Sequence, residues 1–181
     1  VTPKGGNYIV IGFKEKFRHV PENILTAIKN GILETAPGGG LAGYAFIGIH
    51  VSIMSIGFRE EDASEVAFKI AASMAFKEAC QKADILLMEP MMSVEIMTPT
   101  DFTGDIMGDL NSRRAQINGV ASKNDREQIE VMVPLSEMFG YSTSLRSRSQ
   151  GRASFSMQFK EYQALDKKLT KEILLKRGIF I

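Results

Sequence analysis

Between Asp84 and the C-terminus, apolar residues keep to one phase of each extended segment, and that alternation restricts the fold more than any other feature. Met92, Val94 and Ile96 share a phase within Pro90 to Met97, as do Ile129, Val131 and Val133 within Gln128 to Val133. Ala153, Phe155, Met157 and Phe159 share another, with Ser154, Ser156 and Gln158 opposite. A period of two marks a strand with one buried face. A further strand is expected from Ala115 to Val120, followed by the polar turn Ser122-Lys123-Asn124-Asp125. Helices are expected after Thr98-Pro99-Thr100 through about Asn111, and from Pro134 to Phe139, the latter stopped by Gly140. The order is βαββαβ, the split βαβ or ferredoxin-like plan. A basic helix from about Leu165 to Lys176 follows it.

The first half reads as strand, helix, strand, helix. Asn7 to Ile11 is β-branched at its centre, and Pro21 suits a first helical turn. Ile24, Leu25, Ile28 and Ile32 recur at helical spacing. Pro37-Gly38-Gly39-Gly40 then breaks the chain. From Tyr44 to Met54 the residues Ala45, Ile47, Ile49, Val51 and Ile53 alternate, predicting a long strand that carries the loop Ser55-Ile56-Gly57-Phe58-Arg59-Glu60 away from the body. Asp62 with Glu65 resembles a capping box opening a helix to about Lys82. That helix has Val66, Ile70 and Met74 on one stripe, Ala67, Ala71 and Ala75 on a second, and Phe68 with Phe76 on a third. Only Glu65, Lys69, Ser73 and Lys77 form a wet face, so the helix is expected to be clamped between other elements.

Few sites for covalent or metal chemistry are visible. Gly38 to Gly43 has the spacing of a dinucleotide fingerprint but follows a helix and precedes a strand, the reverse of the required context, so it reads as a connector. No Walker loop of the form G-x-x-x-x-G-K-[ST] occurs in the 181 residues. His19 and His50 belong to no ligand cluster. Asp101, Asp105 and Asp109 line up at helical spacing, which reads as a solvated face before a Mg²⁺ stripe. No catalytic, cofactor-binding or metal-binding residues are assigned. The single Cys80 excludes a disulfide framework and points to a reducing compartment. No apolar run approaches the roughly 18 residues of a membrane span, and the first residues have no secretory h-region, so a cytoplasmic location with no membrane partner is expected.

The net charge of +1 conceals an uneven spread. Met88 to Phe139 holds 4 basic and 9 acidic residues, whereas Gly140 to Ile181 holds 9 and 3. Arg113, Arg114, Arg146, Arg148 and Arg152 fall at a helix end and in the loop before the last strand, where they can converge on one edge. Arginine forks suit phosphate. The stretch Arg152 to Phe159 loosely resembles an RNA-recognition RNP1 motif, but its phenylalanines share the core phase.

Several runs resemble one family. Ala67-Phe68-Lys69-Ile70-Ala71 and Ser73-Met74-Ala75-Phe76-Lys77-Glu78-Ala79 resemble the long helix of the fourth domain of bacterial elongation factor G. Leu87 to Pro90, Gly104 to Arg114, Val133 to Tyr141, Leu145-Arg146-Ser147 and Gln150-Gly151-Arg152 resemble its fifth domain. The resemblance implies an α+β chain: a truncated ribosomal protein S5 domain 2-like domain IV over residues 1–87, then a ferredoxin-like domain V with its C-terminal helix over 88–181. It further implies a C-terminal piece of a five-domain translational GTPase that moves tRNA and mRNA on the ribosome. GTP with Mg²⁺ is then expected in a nucleotide domain upstream, which leaves open whether to class the chain as an enzyme.

On this resemblance Ser55, Gly57, Phe58, Arg59 and Glu60 belong to a tip that reaches the decoding centre beside tRNA and mRNA. Arg59 stands where most family members carry His, keeping a positive charge. The five arginines are the candidate contacts to large-subunit rRNA near the factor-binding site, and no small-molecule substrate is expected. Three alternatives differ in class: a stand-alone RNA- or ribosome-binding protein, the arm of a paralogue specialised for ribosome recycling, and a small enzyme using the glycine run or an acidic cleft.

Overall fold

The computed structural model describes residues 9–14, 17–40, 43–83 and 85–178, and the chain divides into two compact units: Val1–Leu86 with Lys167–Ile181, and Leu87–Asp166. Asn7 and Tyr8 of the first expected strand, Leu41 and Ala42 of the glycine run, and Asp84 lie outside the described residues.

In the first unit, β1 (Ile9–Phe13) and β2 (Ile49–Ile53) pair in parallel, Ile9 opposite Ile49 and Phe13 opposite Ile53. Between them runs α1 (Glu22–Thr35), which buries Ile24, Ala27, Ile28, Gly31 and Ile32. The long strand expected from Tyr44 contracts to the five residues of β2. Tyr44 to Gly48 is irregular, and Phe46 leaves the alternation to pack edge-on against Phe76 at 5.7 Å.

Helix α2 (Glu65–Lys82) lies along α1. Asn23 donates to Glu65 at 2.8 Å, Lys69 pairs with Glu34 at 2.7 Å, and the Thr35 and Ser73 hydroxyls share a hydrogen bond at 2.6 Å. These contacts advance together, so the helices run in the same direction. The N-cap is Ser64, whose hydroxyl accepts from the Ala67 amide at 3.1 Å. Asp62, expected in that place, sits instead in a 3₁₀ turn (Glu60–Asp62). Nor is α2 clamped. It packs through Phe68, Ala72, Phe76 and Cys80, while Val66, Ile70 and Met74 are 67%, 55% and 66% exposed. Helix α1 and the loop residues Phe46 and Phe58 pack against its Phe68 and Phe76 side, and the stripe of Val66, Ile70 and Met74 stays exposed.

In the second unit the sheet order is β4-β5-β3-β6, all antiparallel, from β3 (Met88–Pro99), β4 (Gln116–Lys123), β5 (Arg126–Pro134) and β6 (Ser154–Ala164). With α3 (Thr103–Ser112) and α4 (Tyr141–Arg148) this is the βαββαβ ferredoxin-like arrangement. The helices bury Ile106, Leu110, Tyr141 and Leu145 against Val94, Ile96, Ile129, Val131 and Val133. The β4–β5 turn is the two-residue Asn124-Asp125 with φ of 49° and 58°, the left-handed pair that suits tight hairpins.

Two expectations change here. Pro134 to Phe139 is not a helix: Leu135–Met138 forms a 3₁₀ turn, and Gly140, at φ 74°, opens α4 rather than ending a helix. Along edge strand β6, Phe155 reaches the core, but Met157 and Phe159 are 46% and 45% exposed.

The last helix, α5 (Lys167–Lys176), is grouped with the first compact unit. The end of β6 pairs with the start of β3, and Leu165 donates its amide to the Leu87 carbonyl at 2.8 Å. The chain therefore leaves the second unit where it entered. Helix α5 then buries Leu174, and the Arg177 guanidinium following it lies 4.2 Å from the centre of the Tyr44 ring.

At Gly31 a Cβ would run into the Lys69 carbonyl oxygen of α2. In an open helix Gly31→Ala would stabilise by about 0.5–1 kcal/mol. Here it is expected to destabilise by about 1–3 kcal/mol through overpacking, read as a lower urea midpoint.

Candidate nucleic-acid interface

The loop after β2 alternates. Ile56 and Phe58 turn inward, Phe58 against Phe68 at 6.1 Å, and Ser55, Gly57, Arg59 and Glu60 are exposed. Two apolar anchors thus hold an extended backbone, with Arg59 at φ −130° and ψ 128°. Phe58, expected among the contacts, serves as an anchor instead. Arg59 enters no ion pair among the described residues. Because β1 and β2 are parallel, this loop shares its end of the sheet with the segment after β1, and Lys14 donates its amide to the Ile53 carbonyl at 3.0 Å.

The five arginines of the second unit are not one cluster. Arg113 donates to Asp109 at 2.9 Å and to the Glu137 carbonyl, and it lies over the Tyr141 ring at 5.2 Å. Arg114 makes a bidentate pair with Glu89 at 2.9 and 2.8 Å and reaches Glu137 at 3.1 Å. These carboxylates, Glu89 foremost, raise the Arg114 pKa above its ordinary range. Arg148 spans 3.4 Å to Asp109 and donates to Ser144, which itself donates to Asp109 at 3.2 Å. Arg152 lies over the Phe102 ring at 4.5 Å, at the opposite end of α3 from Arg113. Arg146 is exposed and unpaired among the described residues.

Arg146 and Arg148 occupy the last turn of α4, not a loop, where cations oppose the negative end of the helix dipole. The side chains that face solvent are therefore Arg146, Arg152 and part of Arg148, whereas Arg113 and Arg114 hold the fold together. Asp109, grouped from sequence with a solvated acidic face, is 7% exposed and joins α3 to α4. Its spacing to Arg113 was visible in the sequence, but its partners on α4 were not.

Two family models match in chain order. Elongation factor G domain IV covers residues 1–84, and the elongation factor G C-terminus covers residues 86–173. The chain belongs to the elongation factor G family. Its two units correspond to the domain IV and C-terminal parts of that family. A crystal structure from Thermus thermophilus superposes with a TM-score of 0.83 at 29% identity over 94% of this chain. The matched region is 26% of that protein, so this chain spans about a quarter of its length.

Among the described residues, the glycine run, the one sequence feature near a phosphate loop, is closely packed and leaves no cradle for a guanine nucleotide. A Cβ on Gly40 would stand 2.6 Å from both Phe46 and Ile85, and one on Gly39 would meet the Tyr44 carbonyl. Among the described residues, no three His, Cys, Asp or Glu side chains are grouped for a metal, and no helix is long and apolar enough to cross a membrane.

Tyr141 places its hydroxyl in the core without a hydrogen-bond partner among the described residues. Burial first, and then the charge of Asp109, push its pKa well above the ordinary phenol range, partly offset by Arg113. The folded state therefore keeps the proton where the unfolded state loses it. That contribution is intact below about pH 10 and is lost as pH rises towards the folded value. Tyr141→Phe should remain within about 1 kcal/mol of the parent at pH 7 and should flatten the alkaline decline in a urea-denaturation series. Asp109→Ala should cost about 3 kcal/mol by stranding Arg113, and Arg146→Ala less than about 0.5 kcal/mol, both read by urea midpoints.

Proposed function

We propose that the chain is the ribosome-engaging arm of an elongation factor G-like GTPase, promoting movement of tRNA and mRNA by inserting the loop Ser55 to Glu60 toward the decoding centre. The observation that carries this reading is the loop itself. It is extended, fixed by Ile56 and Phe58, and turns Arg59 to solvent at the end of a strand. In a member of this family, that arrangement suits a probe that is positioned by its scaffold and contacts phosphate with one cation. The second unit would meet large-subunit rRNA through Arg146, Arg152 and the outer part of Arg148. On this reading GTP and Mg²⁺ act in a separate nucleotide domain, and no chemical step passes through the residues described.

The work of such an arm is positional: a rigid mount keeps a charged tip where it opposes backward slippage of tRNA. The test is ribosome binding by sedimentation across a salt series. Each phosphate contact that is lost should lower the slope of log affinity against log salt by about 1. Arg59→Ala, Arg146→Ala and Arg152→Ala should each weaken binding with that signature. In the full-length factor Arg59→Ala should also slow single-round translocation. Unchanged ribosome affinity and unchanged translocation with Arg59→Ala would overturn the tip assignment.

A further inference from the structure

A second feature stands at the same end of the β1–β2 pair as the tip loop. Between the end of β1 and α1 lies an open cleft of about 660 Å³, lined by Phe13, Lys14, Phe17, Arg18, Glu22 and Lys29 among others. Among the described residues three cations and one carboxylate line it, and none of the three enters an ion pair with another described residue. Lys29 holds its ammonium over the Phe13 ring at 5.1 Å, against a π face instead of a carboxylate. Phe13 and Phe17 meet edge-to-face at 5.9 Å, and the exposed His19 ring continues the row at 6.2 Å from Phe17. Aromatic faces beside cations are the two components that hold unpaired nucleotides, the rings taking bases and the cations taking the backbone. The volume is within the range of small-ligand sites and admits one or two nucleotides.

We infer that this cleft is a binding site for single-stranded RNA, with Phe17 as the stacking side, extended by the neighbouring His19 ring outside the lining, and Lys14, Arg18 and Lys29 as the phosphate side. Duplex RNA is a poor fit, because its bases are already stacked and cannot enter a cleft walled by rings. The hydrogen bond from Lys14 to Ile53 and the parallel register place cleft and tip loop on adjoining connections. The inference rests on the ribosomal reading only for the source of the RNA; the binding chemistry belongs to the cleft.

The probe is a ten-nucleotide oligouridylate with a 5′ fluorescein, titrated with the 181-residue chain by fluorescence anisotropy at 50 and 200 mM KCl. Binding is expected with a log–log salt slope near −2, the value for about three phosphate contacts on a single strand. The double substitution Lys14→Gln and Arg18→Gln changes two exposed side chains, so the fold should survive it. It should weaken binding at least fivefold and make the slope shallower by about 1.4. Phe17→Ala should weaken binding about five- to twentyfold with the slope unchanged. No binding at 50 mM, full affinity in the double variant, or equal affinity for a ten-base-pair RNA duplex would each overturn the inference. Ribosome sedimentation in parallel separates the two readings. A chain that binds ribosomes but not the oligonucleotide loses only the cleft, and one that binds the oligonucleotide but not ribosomes loses only the ribosomal role.

Discussion

The amide of Lys14 donating to the carbonyl of Ile53 is a single hydrogen bond, but it closes a parallel pairing that decides where the first unit presents its chemistry. Parallel strands send their following connections to the same edge of the sheet. The segment after β1 contains Phe17, Arg18 and His19, and the segment after β2 contains the anchored tip with Arg59. Antiparallel pairing would have sent these segments to opposite ends. Helix α1 is the crossover that permits the pairing, and its Gly31 lets α2 approach closely enough for Phe76 and Phe68 to complete the small core.

Charge in this molecule divides into a share that builds and a share that is presented. Asp109 gathers Arg113, Arg148 and Ser144 between α3 and α4, and Glu89 with Glu137 gathers Arg114 beside the start of β3. These mostly covered pairs hold elements in register, and removing a partner strands a charge. Arg59 and Arg146 have no such partner among the described residues, and Arg152 leans on a ring with its face to water. A polyanion would meet the second group and leave the first undisturbed.

The second unit was largely legible in the sequence because β3 and β5 each bury one face, which forces period-two alternation on them, whereas β6 carries the same alternation but buries only part of it. The misreadings have local causes. Helix α4 is spelled Tyr-Ser-Thr-Ser-Leu-Arg-Ser-Arg, a weak helix former, and is held by Tyr141 and Leu145 in the core, so propensity pointed to the segment before it. The apolar stripe Val66, Ile70, Met74 looked buried because periodicity records which residues share a face and not whether anything covers that face. The arginines posed the same difficulty: charge is written in the sequence, but the partner of Arg114 lies 25 residues away on another element. The loop Ser55 to Glu60 was singled out through family likeness, whereas the inward turn of Phe58 shows only in the fold.

The most direct measurement of the central claim is a cryo-EM map of the chain bound to ribosomes. The account predicts density for the loop Ser55 to Glu60 against small-subunit RNA at the decoding centre, with Arg59 at a phosphate. A map in which the chain docks elsewhere, with that loop facing solvent, would contradict it.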